Sequence, residues 1–187
     1  NSMTEVLKKV FPEEVPRPVQ RLDATTTGLI VFARTRQAAG FLMKEFQNHR
    51  VQKEYLALVK GKPENKYFTL NAPIGVVNGA QRGVGEGIKN PKPAVTKVEC
   101  LTTTNDHSVL KVIPLSGRTN QIRVHLSNHR LPILNDDVYG EGDSGNYEYG
   151  LHGWKLSFQC FDRRLEFKVC PPAHFQPFLK GLDKNRL

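Results

Sequence analysis

The sequence has little that could brace a fold covalently. Its 3 cysteines, Cys100, Cys160 and Cys170, are odd in number, far apart and without a C-x-x-C spacing. Neither a disulfide framework nor a zinc ribbon is therefore expected, and a reducing, intracellular setting follows without a choice between cytoplasm, nucleus and organelle. No apolar run approaches the length of a membrane span, and no signal-peptide hydrophobic region opens the chain. Internal repeats and low-complexity tracts are lacking as well. The chain is also short of acid: 18 Asp and Glu face 27 Lys and Arg, a net charge of +9. An excess of that size favours a polyanionic partner such as a nucleic acid.

What is present reads as an ordinary globular chain. With 187 residues, 39% hydrophobic and 24% charged, it is long enough for one domain and one core without metals or disulfides. Asn1-Ser2 ahead of Met3 reads as an expression-vector remnant over residues 1–3, leaving a single domain over residues 4–187. Val6, Leu7, Val10 and Phe11 predict a short amphipathic helix that prolines close. Leu29 to Ala33 predicts a buried strand, and Thr35 caps a helix to about Arg50.

Strands are expected over Val51 to Gly61, Tyr67 to Ile74, Ala94 to Leu101 and Ser108 to Leu115. Between the second and third of these, Gly75 to Pro93 reads as a mobile basic loop. Its glycines lack the Gly-Lys-Ser/Thr of a phosphate cradle, so contact with nucleic-acid backbone is the better reading. A helix follows, capped at Thr119, with Ile122 and Leu126 toward the core and Arg118 and Arg123 near its amino end. A cation gains nothing there from the helix dipole, so an arginine in the first turn wants a carboxylate, for which Asp23 is a candidate. A polar loop is expected over 141–149, then a hairpin pairing Leu156, Phe158 and Cys160 with Leu165, Phe167 and Val169. An amphipathic helix with Phe175, Phe178, Leu179 and Leu182 ends the chain. Interspersed strands and helices make the fold class α+β, a mixed, mainly antiparallel sheet flanked by helices.

His125 and His129 have the four-residue spacing of a zinc pair, but the Glu after the first His and a third ligand are missing, so no metal is expected. The stretch Gln20-Arg21-Leu22-Asp23-Ala24-Thr25-Thr26-Thr27-Gly28 runs directly into the apolar segment from Leu29. Polar groups displayed beside a core strand are a common place for chemistry, and Asp23 is the candidate. Taken alone, an Asp there is as well explained by capping a turn.

Together with Lys53 to Gly61 and Gly117 to His125, that stretch resembles the RluA-type RNA pseudouridine synthases. The family patterns are H-R-L-D-x-x-T-S-G, K-x-Y-x-A-x-V-x-G and G-R-T-H-Q-I-R-V-H, here in family order. Weaker echoes occur at Lys92 to Thr96, Pro132 to Asp136, Tyr139-Gly140 and Leu151 to Gly153. The resemblance implies the synthase catalytic-domain fold and isomerisation of uridine to pseudouridine in rRNA, tRNA or mRNA. It implies Asp23 as the essential aspartate, Tyr55 as the active-site tyrosine and Arg123 as the arginine paired with the aspartate. Arg21, Lys53, Arg118 and Asn120 would contact RNA. It implies no cofactor, an RNA substrate, no membrane, no obligate protein partner and a monomer.

Chemically, a carboxylate could attack C1′ or remove the C2′ proton, and Tyr55 could act as base or as platform. Arg123 would hold Asp23 in its charged form. Gln20, Thr27 and Asn120 stand where the family has His, Ser and His, and each can still hydrogen-bond. The family's upstream strand and Lys-Pro-x-Gly stretch are not found, so a catalytic domain without its amino-terminal portion is expected. Two other readings fit parts of the pattern: a non-catalytic RNA-binding or chaperone module with the same fold, and a hydrolase pairing Asp23 with Asp136 or Asp137. The latter needs two carboxyls flanking the scissile bond.

Overall fold

The computed structural model describes residues 2–140 and 148–182. Helix α1 spans Met3–Val10, with a capping box formed by Ser2 and Glu5. It buries none of its residues. Short strands β1 (Arg17–Pro18), β2 (Thr27–Gly28) and β3 (Phe32–Ala33) follow. The expected strand over Leu29 to Ala33 is thus broken: Leu29 donates its amide to Gly153 and Val31 accepts from Val19, so this segment laces two sheets together. Helix α2 (Arg36–Gln47) starts at Thr35, whose hydroxyl accepts from the Ala38 amide as expected.

The chain continues through β4 (Gln52–Lys60), β5 (Tyr67–Asn71), β6 (Ile74–Asn78), β7 (Gln81–Gly83), β8 (Lys89–Lys92), β9 (Val95–Thr103), β10 (His107–Pro114), α3 (Gln121–Asn128), β11 (Leu151–Cys160), β12 (Arg163–Lys168) and, after a 3-10 turn over Ala173–Phe175, α4 (Gln176–Leu179). The main sheet runs β12-β11-β4-β10-β9-β5, antiparallel throughout, with β2 added parallel to β11. Residues 75–93, expected as a loop, instead form most of a separate sheet ordered β7-β6-β8. Its strands are short, and Gly75 lies so close to Lys89 that a Cβ would come within 2.7 Å of the carbonyl oxygen. Turn-rich composition concealed a real ladder. The strand expected over Tyr67 to Ile74 likewise divides into β5 and β6 at Ala72-Pro73.

Alternation along β4 explains the layering. Ala57 and Val59 point to one face, where Leu110, Val112, Ile122 and Leu126 join them. Leu56 and Leu58 point to the other, against Trp154, Phe175 and Leu179. Period-two burial therefore puts α3 on one side of the sheet and the carboxyl-terminal turn and α4 on the other. Helix α2 packs Ala39 and Leu42 on Leu156 and Phe158 of β11. The result is the expected α+β class. No helix among the described residues is long and apolar enough to cross a membrane, and no cluster of potential metal ligands occurs among them. His125 is a core residue, its ring bonded to Thr96 Oγ1 at 2.8 Å and to the Ala72 carbonyl at 3.0 Å. The anticipated loop over 141–149 lies mostly outside the described residues.

Two glycines test this account. At Gly28, φ is +113° and a Cβ would lie 2.1 Å from the Gly153 oxygen, so Gly28→Ala breaks the β2–β11 contact and lowers stability by about 3 kcal/mol or more. Gly40, inside α2, has nothing within 4 Å of a Cβ. There Gly40→Ala raises stability by about 1 kcal/mol. Urea unfolding midpoints of both variants check the contrast.

Candidate active site

Asp23 sits in a turn whose Thr26 amide donates to its carbonyl at 2.9 Å. The turn is pinned at both ends. Downstream, Thr27 and Gly28 pair with His152 and Gly153 of β11. Upstream, Gln20 donates its side-chain amide to the Leu29 carbonyl at 3.1 Å, closing the base of the loop. Gln20 therefore has a structural bond, and Arg21 is left exposed at the mouth of the cleft. The Thr27 hydroxyl meets His152 Nδ1 at 2.8 Å, so it too serves the scaffold.

Tyr55 comes from the central strand β4, where it lies between Val112 of β10 and Gly153 of β11. Gly153 faces its ring: a Cβ there would touch Tyr55 Cε1 at 3.4 Å, ordinary van der Waals contact. Burial, joined by the negative charge of Asp23, pushes the Tyr55 hydroxyl up to about 12. The group is a neutral phenol at physiological pH.

Arg123 comes from α3. Its nearest carboxylate is Asp136, not Asp23: Nε and Nη2 donate to the two oxygens of Asp136 at 2.7 and 2.6 Å. Only Nη1 faces Asp23, at 3.8 Å. The Asp136 side chain is fully buried and also accepts from the Val138 and Tyr139 amides at 3.1 and 3.0 Å. The guanidinium lies over the Tyr139 ring, 4.8 Å from its centroid. Asp137, 88% exposed, is 3.7 Å from Nη2.

This geometry reverses one electrostatic expectation. Burial raises the Asp23 carboxyl above its ordinary value; Arg123 opposes that, and Asp136 adds to the rise. Burial outweighs the charge of Arg123, so the arginine fails to hold Asp23 low. The same geometry removes Asp136 as the second acid of a hydrolase, since both of its oxygens are committed.

The start of α3 also differs from expectation. Its N-cap is Asn120 in the left-handed region at φ 55°, not Thr119. Asparagine tolerates that conformation better than most residues. Its amide, in the orientation that satisfies both neighbours, donates to both Asp23 oxygens at 3.2 Å and accepts from the Tyr139 hydroxyl at 3.0 Å. That hydroxyl in turn accepts from the Arg82 amide of β7 at 3.0 Å. A directional chain thus runs from the small sheet to Asp23. Gln121 anchors the turn beside it: its side-chain oxygen accepts from the Ser116 hydroxyl and the Arg118 amide, and its nitrogen donates to Val95 and Thr96.

Asp23, Arg21, Lys53, Tyr55, Arg118 and Asn120 line one cleft of about 590 Å³. Arg123 reaches it from behind. Lys53, whose ammonium is lowered by burial, approaches the Ser116 carbonyl at 3.5 Å. Arg118 donates to the Pro93 carbonyl at 3.0 Å. Sequence reasoning missed the anchoring by Asp136 and Tyr139, although they fall in the weak echoes Pro132 to Asp136 and Tyr139-Gly140.

Comparison with known proteins gives a consistent picture. Residues 4–128 match the model of the RNA pseudouridylate synthase family. The chain is 33% identical over 184 residues to "Ribosomal large subunit pseudouridine synthase D" of Borreliella burgdorferi, covering 96% of this chain and 56% of that protein. It is 35% identical over 181 residues to mouse "RNA pseudouridylate synthase domain-containing protein 1", covering 87% of this chain and 56% of the mouse protein. The chain thus spans little more than half of these relatives. The solved structure of "Human RNA Pseudouridylate Synthase Domain Containing 1" superposes with a TM-score of 0.84 at 30% identity, over 94% of this chain and 76% of that one.

The buried pair and the half-buried Asp23 carboxyl behave oppositely toward substitution. Asp136→Asn strips a buried arginine of its counter-charge and lowers stability by about 3–5 kcal/mol, measured by urea unfolding. Asp23 has its folded pKa raised, so it binds its proton more tightly when folded, and its stabilising contribution is lost as pH rises through that pKa. Asp23→Asn therefore melts above the unsubstituted protein at pH 7, and the difference closes as pH falls below the ordinary value of 3.8. Thermal melts from pH 3 to 7 follow it.

Proposed function

Because the chain belongs to the RNA pseudouridylate synthase family, we propose that it isomerises uridine to pseudouridine in RNA, with Asp23 as the catalytic carboxylate. The observation that carries this reading is the convergence of Asp23 and Tyr55 on one basic cleft, with Arg123 3.8 Å behind Asp23, from a turn, a strand and a helix distant in sequence. The reaction breaks the N1–C1′ bond, turns the uracil, joins C5 to C1′, and moves the C5 proton away while N1, freed from the sugar, gains a proton. Atoms balance without an added reactant.

Asp23 serves either scheme, addition to C1′ or removal of the C2′ proton, and both need it ionised. A hydroxyl pushed up to about 12 is a poor base at neutral pH. Tyr55 is accordingly assigned the platform role, its face against the uracil and its hydroxyl near C5. Asn120 is a positioning residue, because its amide holds both Asp23 oxygens. Arg21, exposed at the cleft mouth, would fill the space left when a stacked uridine turns out of a stem. Lys53 and Arg118 are assigned to phosphates. The RNA target includes ribosomal RNA as a first candidate, since the Borreliella relative carries a large-subunit name. A monomer acting without an obligate partner completes the proposal.

The non-catalytic reading has no observation in its favour. Release of tritium from RNA containing [5-³H]uridine decides between them: the unsubstituted chain releases it without cofactor, and Asp23→Ala abolishes release while retaining RNA binding. The acid limb of the rate profile lies above the ordinary carboxylate value of 3.8, because the raised Asp23 must lose its proton to act. Asn120→Ala lowers kcat by about tenfold with KM changed little, as loss of positioning requires.

A further inference from the structure

A second groove of about 480 Å³ adjoins the Asp23 cleft and shares Phe46, His49, Lys53 and Pro114 with it. Its floor is the start of β4 and the end of β10. Its walls are the loop after α2 and the side chains of Lys97 and Arg164. The two volumes both fall within the usual range for ligand sites, roughly 300–1,000 Å³. Because they share these four residues, the two volumes lie side by side.

The lining is cationic. Arg50, Lys53, Lys97 and Arg164 contribute to it, with His49, and no carboxylate is among the described residues that line it. Arg50 is already paired with the buried Glu45. Arg164 is held in place, donating to Ser157 Oγ at 3.2 Å and to Gln52 Oε1 at 3.5 Å. Lys97 projects from β9 opposite Ile113 and is exposed. Phe46, partly buried, stands where the two volumes meet. An aromatic ring at a junction between cationic walls is the arrangement that binds a single strand, the base on the ring and the phosphates on the cations.

We propose that this groove is the channel for the single-stranded flank of the reacting uridine, with a neighbouring base on Phe46 and two phosphates on Lys97 and Arg164. It rests on the synthase reading and assigns to it a path for the strand. The other cationic surface, Arg82, Lys89 and Lys92 on the small sheet, is reserved by this scheme for other parts of the RNA.

The test uses the Asp23→Asn chain, which needs no turnover, and a fluorescein-labelled 12-nucleotide oligouridylate. Lys97→Glu with Arg164→Glu weakens its binding by about tenfold or more and lowers the slope of log K against log salt by about 1.4, the value for two phosphates of a single strand. Binding of uridine monophosphate, which fills only the Asp23 cleft, stays within twofold by NMR titration. Unchanged 12-mer affinity and slope overturn the channel. Photo-crosslinking gives a second readout without those substitutions. With 4-thiouridine beside the central nucleotide, cross-links fall on residues 46–53 or 164; cross-links confined to residues 81–92 overturn it. Tritium release by the unsubstituted chain is scored separately, so a failed isomerase reading and a failed channel give different results.

Discussion

The buried bidentate pair between Arg123 and Asp136 is the interaction on which the site depends. An isolated guanidinium at that depth would be costly, and a carboxylate with both oxygens engaged removes the cost. Asp136 does more than neutralise. By accepting from the Val138 and Tyr139 amides it folds the segment after Leu134 back over α3. That fold brings the Tyr139 ring under the guanidinium and its hydroxyl to Asn120. One ion pair thereby fixes an arginine, a tyrosine and, through the tyrosine, the amide that holds Asp23.

The second constraint is the close approach of backbone at Gly28 and Gly153. Only a glycine at position 28 allows β2 to lie so near β11, and Gly153 across from it faces the Tyr55 ring. The aspartate turn is thus suspended from the main sheet on one side and bonded to the first turn of α3 on the other. Neither attachment uses the functional oxygens for structure except at Asn120, whose two bonds of 3.2 Å are long for a charged acceptor. Asp23 is held in place without being locked.

Most of the architecture was legible because it is written in periodicity. Alternation along β4 and β10 and the four-residue spacing of Ile122 and Leu126 specify faces, and faces specify layers. The small sheet was not legible, because its strands are short and glycine-rich and their pairing is decided by tertiary contact rather than by pattern. Of the site, Asp23, Tyr55 and Arg123 could be named from motif resemblance, and the structure brings them together. The partner of Arg123 could not. Spacing shows that an arginine in a first helical turn needs a carboxylate, but Asp23, Asp136 and Asp137 satisfy that equally on paper. Only the turn through Val138 and Tyr139 makes Asp136 the nearest.

That choice of partner decides the electrostatics. Had Arg123 given both nitrogens to Asp23, the carboxylate would be strongly stabilised as an anion and correspondingly poor at sharing its electrons or taking a proton. Giving them to Asp136 leaves Asp23 with partial burial, which raises its affinity for a proton and is reinforced by Asp136, while Arg123 at 3.8 Å and Arg21 oppose the rise. The carboxylate is then more basic, at a cost in stability borne by the fold. The arginine's service to the aspartate is therefore a charge at 3.8 Å, and its service to the fold, through Asp136, is the larger of the two.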